Sequence, residues 1–512
     1  MSTHEQQAAL ALRADSLAAI GATSGIPVPE YSLSDLVTGI VHIGVGSFHR
    51  AHQAAVVDRL LSMGHARDFA ICGVGILPQD RRIADVLMQQ DGLYTLVLKH
   101  ADGRREGRII GSIVDFFFAP DEPAAVIERL AHPDTRIVSL TITEGGYGID
   151  PVHGEFVADE PGVQHDLTAP EEPVTVFGYV IAALALRRAR GIPPFTVLSC
   201  DNIQGNGHVA RKSFTAFARL VDPALGDWVD RSVAFPNTMV DRVTPVTSDA
   251  DRADVRTRFG IDDAWPVVAE PFFQWVVEDR FPAGRPPLEL AGVDLVDDVA
   301  PYEAMKLRCA NCTHQVICYF GTLLGLRTAD EALADPRIRA LARSYLFDEA
   351  LPTLTPIPGV DLGRYAETVI ERFANPAIGD TLARIRAFGS DRLPKWLLPV
   401  VRDNLAAGRS VRIAAAVCAA WARYCEGTDD AGRVVEVVDR LSDELTATAL
   451  GQRQHASAFI ERRDLFGDLV DDPRFREPYL QALHALLQGG ADLALGRLVS
   501  ADHDHGLRPA TA

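Results

Sequence analysis

The feature that most constrains the fold is a change of pattern along the chain. Before about residue 295, helical stretches alternate with short, nearly continuous apolar runs at residues 39–43, 69–74, 95–98, 136–140 and 195–199. Such runs are typical of parallel strands covered on both faces, and their alternation with helices is typical of a doubly wound sheet. The helices between the strands are predicted at residues 51–63, 81–90, 122–130 and 176–190.

Beyond about residue 295 the strand patterns almost vanish. A helical periodicity rich in Ala, Leu, Arg and Asp continues from there to about residue 490. We therefore predict two domains, a doubly wound α/β domain over residues 1–297 and a mostly helical domain over residues 298–512.

The charge balance restricts the partners of the chain. Its 512 residues include 69 acidic and 50 basic side chains, a formal charge of −19, so nucleic acid and anionic membranes are disfavoured as partners. The first residues lack the basic and apolar stretches of a secretory leader, and no apolar run approaches the ~20 residues of a membrane span. Seven thinly spread cysteines are typical of reduced thiols, so we expect a cytoplasmic protein.

A glycine turn follows the first predicted strand, with the sequence GVGSFH at residues 44–49. Two glycines at this position let the backbone bend sharply and bring a helix N-terminus against a pyrophosphate. The third glycine of the dinucleotide-binding pattern is replaced by His49. The pattern therefore leaves two interpretations open, an ordinary turn or a cofactor site that uses Gly44, Gly46, Ser47 and Phe48.

Asp80 follows the second predicted strand. A carboxylate there can accept hydrogen bonds from ribose hydroxyls and would repel a 2′-phosphate, which favours NAD over NADP. The separation from Gly44, 80 − 44 = 36 residues, exceeds the usual ~20, so a helix N-cap is the alternative role. Arg81 and Arg82 could weaken the discrimination.

A lysine lies among polar residues in the predicted helix at residues 302–314. At ~100° per residue, one sector of this helix holds Glu303, Lys306, Asn311 and His314. The apolar residues that follow indicate a buried helix, although an exposed polar face is the alternative. A desolvated lysine can act as a general base, Asn311 can donate to an alkoxide, and His314 can orient a hydroxyl. Glu303 could relay the proton or simply pair with the lysine.

The same helix contains Cys309 and Cys312, which raises the possibility of a zinc site. No second pair of ligands with a matching spacing is present, so we expect both thiols to be core residues.

Five segments together resemble a known family, the polyol-specific long-chain dehydrogenases or mannitol dehydrogenase family. They are residues 45–53 (VGSFHRAHQ), 141–147 (TITEGGY), 199–202 (SCDN), 236–245 (PNTMVDRVTP) and the lysine helix. The resemblance extends over roughly residues 35 to 480. It implies a Rossmann-type first domain, a helical second domain, a site in the cleft between them and metal-independent chemistry.

The resemblance also implies a role for individual residues. Lys306 would remove the hydroxyl proton, Asn202 and Asn311 would stabilise the alkoxide, and His314 would position the substrate. The remaining hydroxyls would contact Asp241, Arg384 and Arg392, the last of which replaces a lysine of many relatives. Glu144, in the second motif, would contact the cofactor. Without the resemblance, the residues at 201–202 could form a turn, Asp241 could pair with Arg242, and Arg384 could be a solvated helix position.

The predicted activity is the NAD-dependent oxidation of a linear polyol, above all D-mannitol to D-fructose, by a monomer. A fructuronate or tagaturonate reductase remains an alternative, because Arg384 and Arg392 could pair with a carboxylate. D-arabinitol or D-sorbitol oxidation is a further alternative. A sensor that binds NAD(H) without turnover is opposed by the complete set of Lys306, Asn202, Asn311 and His314.

Overall fold

The computed structural model describes residues 9–150 and 153–504. For residues 501–504 it describes the backbone only. Residues 1–8, which bear on the prediction about a secretory leader, lie outside the described residues. The chain forms two compact units, one ending at Ala300 and the other beginning at Pro301.

The strands belong to the first unit. They are β1 (Leu10–Ala11), β2 (Thr38–Ile43), β3 (Ala70–Gly75), β4 (Tyr94–Lys99), β5 (Arg105–Ile110), β6 (Ile113–Phe118), β7 (Ile137–Leu140), β8 (Thr196–Ser199), β9 (Thr238–Asp241), β10 (Ile261–Asp262), β11 (Val267–Ala269), β12 (Gln274–Glu278) and β13 (Asp294–Val296).

A five-stranded parallel sheet forms the centre of this unit, in the order β6-β3-β2-β7-β8. Successive side chains of one strand point to opposite faces, and both faces are buried: Ile40 belongs to one apolar cluster and Val41 to the other. Leu198 and Val197 divide in the same way. The predicted doubly wound sheet with strands covered on both sides is confirmed.

One predicted strand of the parallel sheet lies elsewhere. The run 95–98 falls within β4, which belongs to a separate sheet of order β11-β4-β5 and pairs antiparallel with β5. A tight turn closed by the N–H of His100 and the carbonyl of Arg104 (3.0 Å) connects the two strands. A turn this short joins antiparallel neighbours, whereas parallel neighbours need a long crossover.

The helices of the first unit surround these sheets. They are α1 (Leu17–Ser24), α2 (Ser47–Ala51), α3 (Gln53–Ser62), α4 (Arg81–Gln89), α5 (Pro123–Ala131), α6 (Pro161–Thr168), α7 (Val176–Ala189), α8 (Asn206–Val221), α9 (Pro223–Ser232) and α10 (Asp249–Phe259). The predicted helix at residues 51–63 is broken at His52, where φ is −119° and ψ −93°. The buried His52 ring packs against Phe48 and Phe273, and these contacts override the helical pattern.

The second unit is helical, as predicted. Its helices are α11 (Ala300–Met305), α12 (Cys312–Leu323), α13 (Ala329–Ala334), α14 (Pro336–Ser344), α15 (Leu362–Phe373), α16 (Leu382–Arg386), α17 (Gly389–Ala406), α18 (Arg412–Tyr424), α19 (Ser442–Gly451), α20 (Arg463–Phe466) and α21 (Pro473–Asp504, interrupted at Gly489 and Gly490). Two π-helical turns, Lys306–Asn311 and Tyr345–Ala350, interrupt the α-helical pattern. No helix in residues 9–150 and 153–504 is both long and apolar enough to cross a membrane.

Candidate active site

The glycine turn lies where the strand order of the central sheet reverses, between β2 and β7. Gly44 has φ +94°, and a Cβ atom on it would lie 2.3 Å from the carbonyl oxygen of Thr141. A side chain is therefore excluded at Gly44 both by the backbone conformation and by the neighbouring strand. Ligands of open α/β folds bind at such a reversal, outside the carboxyl ends of the strands.

A pair of stacked histidines supports this turn. The His42 and His49 rings are 3.5 Å apart and nearly parallel, and both are buried. Nε2 of His42 lies 2.9 Å from Oγ1 of Thr141, which in turn donates to the carbonyl of Gly44 at 2.7 Å. Burial lowers the pKa of His42 to about 3 and also lowers the pKa of His49, so both rings are neutral. His49, where the third glycine would stand, therefore has a packing role.

Asp80 lies at the carboxyl end of β3. Its Oδ2 accepts the N–H groups of Ile76 (3.0 Å) and Leu77 (2.9 Å), so the carboxylate stabilises the turn that leaves the strand. No hydrogen bond to Oδ1 is found within residues 9–150 and 153–504. The two arginines that could weaken discrimination against NADP are engaged elsewhere. Arg81 pairs with Asp121 at 2.5 Å, and the Arg82 guanidinium stacks on a tryptophan, Trp265.

The loops after β7 and β8 carry two further predicted residues. Glu144 is exposed in the turn 144–147, and Asn202 is exposed directly after the end of β8. The residue before Asn202 is a buried carboxylate, Asp201, which our sequence analysis did not assign to the site. Its position before Asn202 was the available signal, but its partners are distant in sequence.

Asp241 ends β9, in the small sheet β13-β12-β9, and is buried. The guanidinium of Arg242 donates to the carbonyls of Ala51 (2.6 Å) and Glu270 (3.0 Å). Burial lowers the pKa of Arg242 to about 10. These bonds assign Arg242 a structural role in joining α2 to the loop after β11.

The lysine segment is helical, but it is not the regular α-helix that we predicted. Lys306 and Asn311 begin and end a π-helical turn, in which the N–H of Cys312 donates to the carbonyl of Leu307 five residues earlier. The angular positions calculated at ~100° per residue are therefore wrong. The hydroxyl of Tyr345, from the second π-helical turn, donates to the carbonyl of Arg308 at 3.0 Å and braces the segment.

The polar residues of this segment are buried, with exposures of 8% for Glu303, 7% for Lys306 and 9% for Asn311. Cys309 and Cys312 are free, buried thiols. Burial raises the pKa of Cys312 to about 12 and raises the pKa of Cys309 as well, which makes both thiols unreactive. In the described parts of the chain, no group of three or more His, Cys, Asp or Glu side chains is placed to hold a metal ion.

His314, Arg384 and Arg392 form a polar cluster in the second unit. The His314 ring stacks on Phe373 at 3.7 Å, and its Nε2 lies 3.8 Å from Oδ2 of Asp380. The same carboxylate accepts two hydrogen bonds from Arg384, at 2.7 and 2.5 Å. Arg392 donates to the backbone carbonyl of Ile385, the residue after Arg384, at 2.8 Å.

Asp380 is a second residue that our sequence analysis missed. It precedes Arg384 by four residues, a spacing that favours an ion pair along a helix and could have indicated the pairing. Its proximity to His314 could not have been inferred, because 66 residues separate the two (380 − 314).

Comparison with known proteins places the chain in a family. The family model of the mannitol dehydrogenase Rossmann domain matches residues 38–290, and that of the mannitol dehydrogenase C-terminal domain matches residues 298–487. The chain is 43% identical over 492 residues to the mannitol 2-dehydrogenase of Pyricularia oryzae, covering 94% of this chain and 98% of that protein.

Two solved structures are similar over nearly the whole chain. The ternary complex of Pseudomonas fluorescens mannitol 2-dehydrogenase with NAD and D-mannitol has a TM-score of 0.86 at 43% identity and covers 96% of this chain and 100% of its own. A D-sorbitol dehydrogenase in substrate-free form has the same TM-score, 0.86, at 35% identity, with coverages of 95% and 100%. The chain therefore belongs to the mannitol dehydrogenase family of oxidoreductases, which confirms the resemblance and the enzyme class predicted from its motifs.

Proposed function

We propose that this protein oxidises D-mannitol to D-fructose with NAD as the hydride acceptor. The observation that carries the proposal is the 43% identity, over 96% of this chain, to an enzyme whose structure contains both NAD and D-mannitol. The complete set of predicted catalytic side chains supports turnover over a sensor role.

The first unit has the features that NAD requires. Gly44, Gly46, Ser47 and Phe48 would accommodate the pyrophosphate at the turn where only glycine fits position 44. Asp80, with its Oδ2 already bonded to the backbone, would offer Oδ1 to the ribose hydroxyls. Glu144 would contact the cofactor from the turn after β7. NAD, when bound, accepts the hydride from the carbon that is oxidised.

We propose the following roles for the predicted catalytic residues. Lys306 takes the proton of the reacting hydroxyl. The substrate carbon that carries this hydroxyl loses its hydrogen as hydride, and its C–O bond becomes a carbonyl. The amides of Asn202 and Asn311 donate to the developing alkoxide, which stabilises the charge that the lysine creates. Glu303, three residues before Lys306, passes the proton on to solvent.

The other polar residues select the substrate. His314 orients the reacting hydroxyl, while Asp241, Arg384 and Arg392 bind the remaining hydroxyls. A linear polyol satisfies such a set of donors and acceptors, and a substrate lacking one hydroxyl would leave a partner without its hydrogen bond. Asp241 is buried, His314 and Arg392 are half-buried, and Arg384 is exposed. Asp380 accepts two hydrogen bonds from Arg384 and so neutralises its positive charge. A uronate reductase would need that charge to bind the carboxylate of its substrate, so the ion pair favours a neutral substrate.

Oxidation of D-sorbitol is the second candidate, favoured by the 35% identity to a D-sorbitol dehydrogenase. The discriminating experiment measures NADH formation from NAD with D-mannitol, D-sorbitol and D-arabinitol, and the reverse reaction with D-fructose, fructuronate and tagaturonate. We expect the highest kcat/KM for D-mannitol and D-fructose. Activity on a uronate alone would overturn the proposal, and so would NADH binding without turnover of any substrate.

We propose also that the reaction needs no metal and that the enzyme is a cytoplasmic monomer. The two helix cysteines are buried without a third metal-binding neighbour in the described residues, and all seven thiols are free, as in reducing compartments. Prolonged chelation should leave the activity unchanged, and a loss restored by zinc would contradict this. Sedimentation equilibrium tests the proposed oligomeric state, and we expect the mass of a single chain, 55.5 kDa.

A further inference from the structure

A buried carboxylate joins the ends of two neighbouring strands of the central sheet. Asp201, two residues beyond β8, is 7% exposed. Its Oδ1 accepts the N–H of Thr143 at 2.8 Å, and its Oδ2 accepts the N–H of Ile142 at 3.1 Å and the hydroxyl of Tyr147 at 2.7 Å. All three donors are neutral, and all three belong to the segment that follows β7. We call these four residues the Asp201 clamp.

The clamp holds a strained turn. Thr143 has φ +64° and ψ 169°, a conformation that a β-branched residue adopts only when its surroundings impose it. The N–H of this residue is bound by Asp201, and the other end of the turn is held by the buried Tyr147, whose hydroxyl also lies 2.6 Å from Oγ of Ser199. The turn between the two anchored ends carries Glu144.

Asp201 is also the immediate neighbour of Asn202. Both loops lie at the carboxyl ends of parallel strands, where ligands bind in this class of fold. Burial raises the pKa of Asp201, and its bonds to Tyr147, Ile142 and Thr143 oppose that rise. The three hydrogen bonds therefore stabilise the ionised carboxylate of Asp201.

We propose that Asp201 is a positioning residue that holds the Glu144 turn and Asn202 in register, and so aligns the nicotinamide cofactor with the alkoxide. This inference rests on the function proposed above. It assigns to the carboxylate no contact with substrate or cofactor, and it predicts that both cofactor binding and turnover depend on it.

The Asp201→Asn variant tests the inference. An amide offers one accepting oxygen, so its NH₂ group would face at least one of the three donors and the turn would lose its fixed conformation. We expect the NADH dissociation constant to rise and kcat for D-mannitol to fall, each by about tenfold or more.

The first unit offers a matched control in Asp166. This carboxylate is 1% exposed and accepts the N–H groups of Val174 (2.8 Å) and Thr175 (3.0 Å) and the hydroxyl of Thr175 (2.5 Å). Like Asp201 it accepts two backbone N–H groups and one hydroxyl, and in addition its Oδ1 lies 3.2 Å from Nδ1 of His165. Asp166, however, lies in α6 and holds the start of α7. Asp166→Asn should lower the melting temperature while leaving NADH binding and kcat unchanged.

Three measurements on both variants test the inference. Calorimetric titration gives the NADH dissociation constant, steady-state kinetics give kcat, and thermal melting gives the melting temperature. Weaker NADH binding and lower kcat in Asp201→Asn alone support the inference, and constants equal to those of Asp166→Asn overturn it. If Asp201→Asn does not fold, Tyr147→Phe removes one donor from the clamp, and unchanged binding and kcat in that variant overturn the inference as well. Because the titration needs no polyol, weakened NADH binding would support the clamp even if the proposed substrate were wrong.

Discussion

Lys306 and Asn311 begin and end the same π-helical turn. In an α-helix, residues five apart would differ by about 140° in direction. In a π turn the backbone hydrogen bond itself joins residues five apart, so the two positions come close to one face of the helix. Such turns occur frequently at functional sites. The widened turn therefore brings the positions of the proposed base and one proposed alkoxide donor closer to a common face than a regular α-helix would.

Replacement of Lys306 tests the proposed base. Lys306→Ala should lower kcat for D-mannitol oxidation by a factor of about 10² to 10⁴, because proton removal then depends on water. NADH binding should be retained. Lys212→Ala is the control, since this exposed lysine of α8 pairs with Glu155. Near-normal turnover in Lys306→Ala would show that the base has been misassigned.

The pH profile provides an independent check on the same residue. Oxidation by the wild-type enzyme should rise as the lysine loses its proton, over a window between neutral and about pH 10. The residual activity of Lys306→Ala should lose this rise. A flat wild-type profile for the chemical step would contradict a lysine base.

Asp80 should control the choice between NAD and NADP. Asp80→Asn keeps an oxygen that can accept from Ile76 and Leu77, but it removes the charge that repels a 2′-phosphate. The ratio of kcat/KM for NADP to that for NAD should rise by about tenfold or more. Asp85→Asn, on the exposed face of α4, is the control. An unchanged ratio would show that Asp80 only stabilises the turn after β3 and does not select the cofactor.

Asp380 should act on substrate binding more than on chemistry. In Asp380→Asn the Arg384 guanidinium loses its ion pair, so we expect KM for D-mannitol to rise by about three- to tenfold with a smaller change in kcat. The control, Asp254→Asn, breaks a similarly spaced pair with Arg258 in the first unit. If KM stays at the wild-type value, Arg384 does not depend on Asp380.

Glu349 should make the stability of the second unit depend on pH. Burial raises its pKa to about 7, against the opposing N–H bonds of Ile413 (2.7 Å) and Ala414 (2.9 Å). The folded carboxyl thus keeps a proton that the unfolded one releases at lower pH, and stability falls as the pH rises towards 7. The fall in melting temperature between pH 5 and about 7 should be smaller in Glu349→Gln than in the wild type and in the exposed control Glu371→Gln. Identical slopes would contradict this.

The sequence by itself determined four of the five strands of the central sheet, because a strand buried on both faces is a local apolar run, as at 137–140 and 196–199. The fifth, β6, was not predicted, because this edge strand is only partly buried and its apolar run is interrupted by Asp115. It also determined the family, because the motifs that carry the resemblance are short and contiguous. The residues proposed for the site stay predictions that rest on those motifs.

Only the tertiary structure decided where several elements and side chains lie. Strand β4 reads like a central strand, but its partner β5 places it in another sheet. The π turn at Lys306 is braced by Tyr345, and Asp201 accepts hydrogen bonds from donors 54 to 59 residues earlier in the chain. The burial of β4 produces the same apolar run as that of a central strand, so the run alone does not show to which sheet it belongs. In the other two cases the hydrogen bond joins residues far apart in sequence, and it leaves no periodic trace in the chain around either partner.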